Sequence, residues 1–207
     1  MNRLLQWGSD NAMAVASTLA APSDEQLLVR SAAGERSALE ELFRRYRQIA
    51  FRVAYRLLGN EADALDAVQD GFVKALVHLP RFQGRSSFKT WLLRVVSNAS
   101  LDLGRQRGRR ETVSMDALRC RGDCGCEPLD APMQDRDLDL DDLRRQLNKA
   151  LAQLSPVQRQ TFVLHAEAEL SYREIADTLG ISIGTVMSRL FYARQRLRTI
   201  MEPWIKT

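Results

Sequence analysis

Between residues 39 and 57 apolar side chains recur at steps of three and four: Leu39, Leu42, Phe43, Tyr46, Ile49, Ala50, Val53, Ala54 and Leu57. That spacing draws one stripe along a helix. The same period returns in Ala64, Leu65, Val68, Phe72, Leu76 and Leu79, and again in Phe88, Trp91, Leu92, Val95, Val96, Ala99 and Leu103. It recurs in Leu140, Leu143, Leu147, Leu151 and Leu154, and finally in Val186, Leu190, Ala193, Leu197 and Ile200. No window alternates apolar and polar residues for long enough to make a strand. The chain is therefore read as all-α.

Start and stop residues fall between the stripes. Ser37 with Glu40, and Ser171 with Glu174, have capping-box spacing. Asn60 and Ser182 can cap, and Ser155-Pro156 is an N-cap followed by proline at the first helical position. Gly34, Gly59, Pro80 and Gly180 stop helices, and the helix that begins near Phe88 is expected to run out near Gly104. Residues 111–137 lose all periodicity and hold Gly122, Gly125, Pro128 and Pro132, which reads as a linker.

Four segments result: an N-terminal extension over 1–23, expected to be disordered, a helical module over 24–110, a linker over 111–139 and a second module over 140–207. Ala12 to Ala21 is apolar but too short and too poor in Leu and Ile for a secretion signal. No uncharged apolar run reaches the length of a membrane span. The formal net charge of +4 is unevenly spread: +6 over 24–110, −5 over 111–146 and +3 over 147–207. Two basic modules flanking an acidic strip suit contact with a polyanion, and equally two solvated helical surfaces.

The three cysteines, Cys120, Cys124 and Cys126, all lie in the acidic linker. Their odd number is no disulfide framework and fits a reducing cytosol. Three thiolates and a fourth ligand could hold zinc, but the spacing matches no standard site and no histidine is near. They are read as ordinary linker thiols, and neither a metal nor a cofactor is expected.

Residues 171–190 have the form of a helix-turn-helix: a short capped helix, a tight turn at Leu179-Gly180-Ile181 and a longer second helix. The second helix of such a unit enters the DNA major groove by its N-terminal end. Here that end carries Ser182, Gly184, Thr185, Ser188 and Arg189, small or hydrogen-bonding residues, and Arg189 can reach a guanine bidentately. Tyr192, Arg194, Arg196 and Arg198 follow where phosphates would lie.

A second constellation interleaves bases with aromatics: Arg81, Phe82, Arg85, Phe88, Lys89 and Trp91. Cations following a backbone and rings stacking on unpaired bases bind single-stranded nucleic acid. Asn98, on the following helix, could read a base edge. Phe88 and Trp91 also fall on the apolar stripe, which makes them core candidates.

In order, Asp63-Ala64-Leu65-Asp66-Ala67-Val68-Gln69-Asp70-Gly71-Phe72, then Phe82 to Leu92, Asn98 and the run Arg105 to Arg110 resemble region 2 of bacterial sigma factors. Leu154 to Gln160, Ser171 to Ala176 and Gly184 to Leu190 resemble region 4. With only a linker between them, the chain resembles the extracytoplasmic-function (group IV) class of the sigma-70 family. The resemblance implies a non-enzymatic factor that brings core RNA polymerase to specific promoters and helps open the −10 region. It implies that Asp66, Gln69, Asp70 and Phe72 dock on the β′ clamp helices. It further implies −10 contacts from Arg81, Phe82, Arg85, Ser87, Lys89, Asn98 and Arg105, and −35 contacts from residues of the helix-turn-helix, Arg173 among them. The β flap and an anti-sigma factor are implied as further partners, in the cytoplasm, with no membrane insertion.

Two positions depart from the family pattern. Leu65 stands where an acidic or polar residue is usual, and Met187 where a basic one is common. The competing reading is a stand-alone helix-turn-helix regulator. It explains 147–207 but leaves 24–110 without the ligand pocket or phosphoacceptor pattern such a protein needs.

Overall fold

The computed structural model describes the backbone of residues 21–118 and 135–205, and the side chains of 21–109 and 142–202. The described residues form α1 (Asp24–Ala32), α2 (Arg36–Leu58), α3 (Glu61–His78), a 3₁₀ turn (Leu79–Arg81) and α4 (Phe88–Leu118), followed by α5 (Asp135–Ala152), α6 (Pro156–Ala166), α7 (Tyr172–Leu179) and α8 (Ile183–Ile205). No strand occurs among them, as the periodicity requires.

The chain divides into two compact units, Met1–Arg45 and Tyr46–Thr207. In the first, Ser23 and Gln26 close a reciprocal capping box on α1. Arg45 reaches Asp24 at 3.1 Å and Glu41 at 2.9 Å. The capping box expected at Ser37 is not formed. Gly34, at φ +92°, turns the chain out of α1, and α2 starts at Arg36. Ser37 Oγ donates to Glu35 Oε1 at 2.9 Å, while Glu40 pairs with Arg36 at 3.2 Å. Hydrogen bonds from Arg30 first, and then from Ser37, hold the Glu35 carboxyl at a pKa of about 2.

In the second unit, the end of α2 buries Ala50, Val53, Ala54 and Leu57. Asn60 caps α3 by accepting from the Asp63 backbone N–H at 2.8 Å. Asp63 is itself buried and ion-paired with Arg107. The buried side of α3 is not the expected one. Ala64, Ala67, Val68, Gly71 and Ala75 face inward, whereas Leu65 and Leu76 are exposed. Small residues let α3 lie close against α4, and a Cβ on Gly71 would come within 2.9 Å of Val96 Cγ2. The larger apolar side chains are left outside.

The linker is also shorter than expected. Helix α4 continues to Leu118 and α5 begins at Asp135, so residues 111–118 and 135–139 are helical. Gly104 and Gly108 lie inside α4; each costs a helix only about 1 kcal/mol, too little to end one supported by neighbouring turns.

Helices α5, α6, α7 and α8 share a second core. Ala150, Leu151 and Leu154 meet Ala193 and Leu197, with Phe162 and Ile200 at the margin. Ser155 and Gln158 form the capping box of α6, with Pro156 in its first turn.

Candidate nucleic-acid interface

The helix-turn-helix is built as its sequence dictates. Ser171 Oγ accepts from the Glu174 backbone N–H at 3.3 Å, and Glu174 Oε2 accepts from the Ser171 backbone N–H at 2.9 Å. Those bonds, the backbone one foremost, lower the Glu174 pKa below the ordinary carboxylate value. Gly180 takes the left-handed conformation, φ +64° and ψ 39°, and ends α7. Such a C-cap lets the chain reverse without a Cβ penalty. Ser182 Oγ then caps α8 by accepting from the Thr185 backbone N–H at 3.1 Å.

Val186, Leu190, Ala193 and Leu197 bury one side of α8. At about 100° per residue the opposite side carries Gly184, Ser188, Phe191 and Gln195, all exposed. Tyr192 and Arg194 are exposed beside it, Arg173 is exposed on α7, and Thr185 and Arg189 are half-buried. Two of the expected hydroxyls are engaged locally: Ser188 Oγ donates to the Gly184 carbonyl at 3.0 Å, and Thr185 Oγ1 lies 2.9 Å from Ser182 Oγ. Phe191 was not singled out by the sequence. Its signal was its place opposite the buried stripe, where a helical aromatic has no core to enter. It is 63% exposed.

Loop 81–88 folds back on the start of α4. The 3₁₀ turn is closed by Phe82 N–H donating to the Leu79 carbonyl at 2.9 Å, and Ser87 Oγ accepts from the Thr90 backbone N–H at 3.1 Å. The Phe82 ring lies 5.1 Å from Trp91 and 6.2 Å, edge-on, from Phe88. Phe88 is core, as one reading expected, but Trp91 is only half-buried. Arg81, Arg85 and Ser87 are exposed around this cluster, with Phe82 and Lys89 half-exposed. Cations thus ring accessible aromatic edges, the composition that holds unpaired bases.

The structure does not gather every −10 candidate here. Asn98 and Arg105 lie further along α4. Asn98 Oδ1 accepts from Gln160 Nε2 of α6 at 3.3 Å, and Arg105 pairs with Asp102 at 2.6 Å. On α3, Asp66, Gln69 and Asp70 are exposed and Phe72 is half-buried. Asp70 pairs with Lys74 at 2.7 Å. Exposed Leu65, Val73, Leu76 and Val77 give the helix an apolar surface that its core reading had hidden.

Polar contacts join the two sets of helices. Arg56 of α2 donates to Glu167 at 2.8 Å and to Asn148 at 2.7 Å. Thr90 Oγ1 donates to Glu174 Oε1 at 3.1 Å. Arg159 donates to the carbonyls of Leu57 at 2.9 Å and Ala152 at 2.7 Å. Burial lowers its guanidinium pKa. Cys120, Cys124 and Cys126 lie outside the described residues; among the described residues no group of three or more His, Cys, Asp or Glu is placed to hold a metal.

Known proteins carry the same two parts. Residues 42–110 match Sigma-70 region 2 and residues 144–197 match Sigma-70, region 4. The ECF RNA polymerase sigma factor SigE of Mycolicibacterium smegmatis is 37% identical over 182 residues, 86% of this chain and 68% of that protein. The solved structure of CnrH, in complex with the cytosolic domain of CnrY, is similar at a TM-score of 0.65 and 25% identity, covering 88% of this chain and 99% of that one. The sigma factor RpoE of Bartonella quintana, in complex with the anti-sigma factor NepR, is similar at 0.58 and 27% identity, covering 79% and 98%. Two matched regions in the expected order, on helices that present a helix-turn-helix and an aromatic-basic loop, place this chain in the extracytoplasmic-function class of the sigma-70 family.

Proposed function

We infer that this chain is a sigma factor: it binds core RNA polymerase, directs it to specific promoters and helps open the −10 region. The observation that carries this reading is the pairing, in one chain, of a capped helix-turn-helix with a loop suited to unpaired bases. Duplex reading needs a helix in the major groove. Melting needs a stacking surface for a base whose removal from the duplex costs a few kcal/mol. A stand-alone regulator has use for the first but not the second.

The residue roles follow this division. The α3 surface of Asp66, Gln69, Asp70 and Phe72 docks on the β′ clamp helices. Arg81, Phe82, Arg85, Ser87, Lys89, Asn98 and Arg105 serve the −10 element. The helix-turn-helix, with Arg173, Ser182, Gly184, Thr185, Ser188, Arg189, Tyr192 and Arg194, serves the −35 element, and the rest of 140–207 offers a surface to the β flap. The factor works in the cytoplasm without catalytic residues of its own. Both similar solved structures are bound to another protein, one of them an anti-sigma factor, which supports an anti-sigma partner here. No described helix is long and apolar enough to cross a membrane.

The test is copurification of the tagged chain with core polymerase. A stoichiometric complex that competes with another sigma factor is expected. A chain that stays free at micromolar concentrations contradicts the reading.

A further inference from the structure

The open face of α8 is more apolar than a helix that reads DNA by hydrogen bonds alone requires. Met187 is 54% exposed and Phe191 63%. They stand one turn apart and, with Tyr172, Arg194, Gln195 and Arg198, line an open groove of about 470 Å³. The hydroxyls nearby are turned inward, since Ser188 donates its proton to the Gly184 carbonyl and Thr185 is bonded to the cap. Arginines flank this strip on both sides. By the helical step of about 100° per residue, Arg194 and Arg198 lie along its Met187 side, and Arg189 and Arg196 along the other. An apolar strip between two cationic rails matches a major groove, where thymine methyls lie on the floor between two phosphate backbones.

We propose that Met187 and Phe191 read the C5-methyl groups of thymines in the −35 element, so that this chain's promoter preference is set in part by apolar contact. Met187, which departs from the family's basic residue, is a specificity determinant in this account and not a lost contact. The proposal rests on the assignment of α8 to the −35 element.

The test uses holoenzyme assembled from the full chain and core polymerase. Promoter duplexes are first selected from a pool randomised over the −35 window. Thymines in the selected element are then replaced by deoxyuridine, which removes the methyl and keeps every hydrogen-bonding group. Loss of one buried methyl should weaken promoter binding about fourfold. Met187→Ala and Phe191→Ala should bind the thymine duplex as weakly as the parent binds the deoxyuridine duplex, with little further loss on deoxyuridine. Both side chains are mostly exposed, so the variants should keep the parent's circular dichroism; if either misfolds, the deoxyuridine series on the parent decides alone. Unchanged binding to deoxyuridine duplexes that are still preferred over scrambled ones overturns the proposal while leaving the assignment of α8 intact. The same holds if Phe191→Ala weakens only the binding of polymerase. Holoenzyme with no −35 preference at all overturns the assignment and the proposal together.

Discussion

Gly71 stands where α3 and α4 come closest. A Cβ there would lie 2.9 Å from Val96 Cγ2 and 3.1 Å from Val96 Cα. Alanine in a helix gains about 1 kcal/mol over glycine. Forcing a methyl against a β-branched side chain and its backbone costs about 1–3 kcal/mol. The second effect wins because neither Val96 atom is the end of a flexible chain, and Gly71→Ala should lower the urea unfolding midpoint. A midpoint that rises would show that the helices can part freely. Asp70 is the opposite case, exposed and held only by Lys74 at 2.7 Å. Asp70→Arg should leave stability within about 0.5 kcal/mol of the parent and sharply weaken polymerase binding, as read by competition against another sigma factor. Arg189→Ala should cost about 1–3 kcal/mol of −35 discrimination through the loss of a bidentate base contact, with no change in polymerase binding.

The caps decide where the elements begin, and one of them carries a pH signature. Glu174 is lowered by the Ser171 backbone N–H first, then the Ser171 hydroxyl, with smaller help from Thr90 and Lys89. A carboxyl with a depressed folded pKa stabilises the fold above its unfolded pKa, near 4.5. That stability is lost as pH falls through the folded value. Urea titrations from pH 7 downward should therefore show a stability loss below pH 4.5 that Glu174→Gln reduces. Ser171→Ala should cost about 1 kcal/mol at neutral pH; equal acid sensitivity in parent and Glu174→Gln would contradict this account. The caps at Asn60, Ser155, Ser171 and Ser182 were legible because their signals are local: one side chain, one N–H three residues on. The inner face of α3 was not legible. Leu65 and Leu76 satisfy the helical period as well as Ala64 and Ala75 do, and only the closeness of α4 selects the small set. The length of α4 was misjudged because Gly104 and Gly108 weaken a helix without ending it. Phe191 was passed over because an aromatic on a helix ordinarily marks a core.

At the scale of the whole molecule the sequence was silent on how α2 and α4 meet α6 and α7. Arg56 and Glu167, or Gln160 and Asn98, are far apart in the chain and belong to no period. Glu167 sits between Arg56 at 2.8 Å and Arg52 at 3.6 Å. Glu167→Arg should drive these helices apart, which increased hydrogen exchange over α6 and α7 would report; unchanged exchange would show that the contact contributes little. Such separation bears on function, because Asn98 must exchange its bond from Gln160 before it can meet a base. The modest charges of the modules, +6 over 24–110 and +3 over 147–207, allow few phosphate contacts. Free chain should therefore bind promoter duplex weakly and gain specificity only with polymerase.

The most direct measurement of the central claim is reconstituted transcription with purified core polymerase, this chain and a genomic template library, with no other sigma factor present. The account predicts chain-dependent initiation at a limited set of promoters that share a −35 element, abolished by Asp70→Arg and diminished by Arg189→Ala. No chain-dependent initiation, together with tight sequence-specific gel shifts by the free chain, would contradict it.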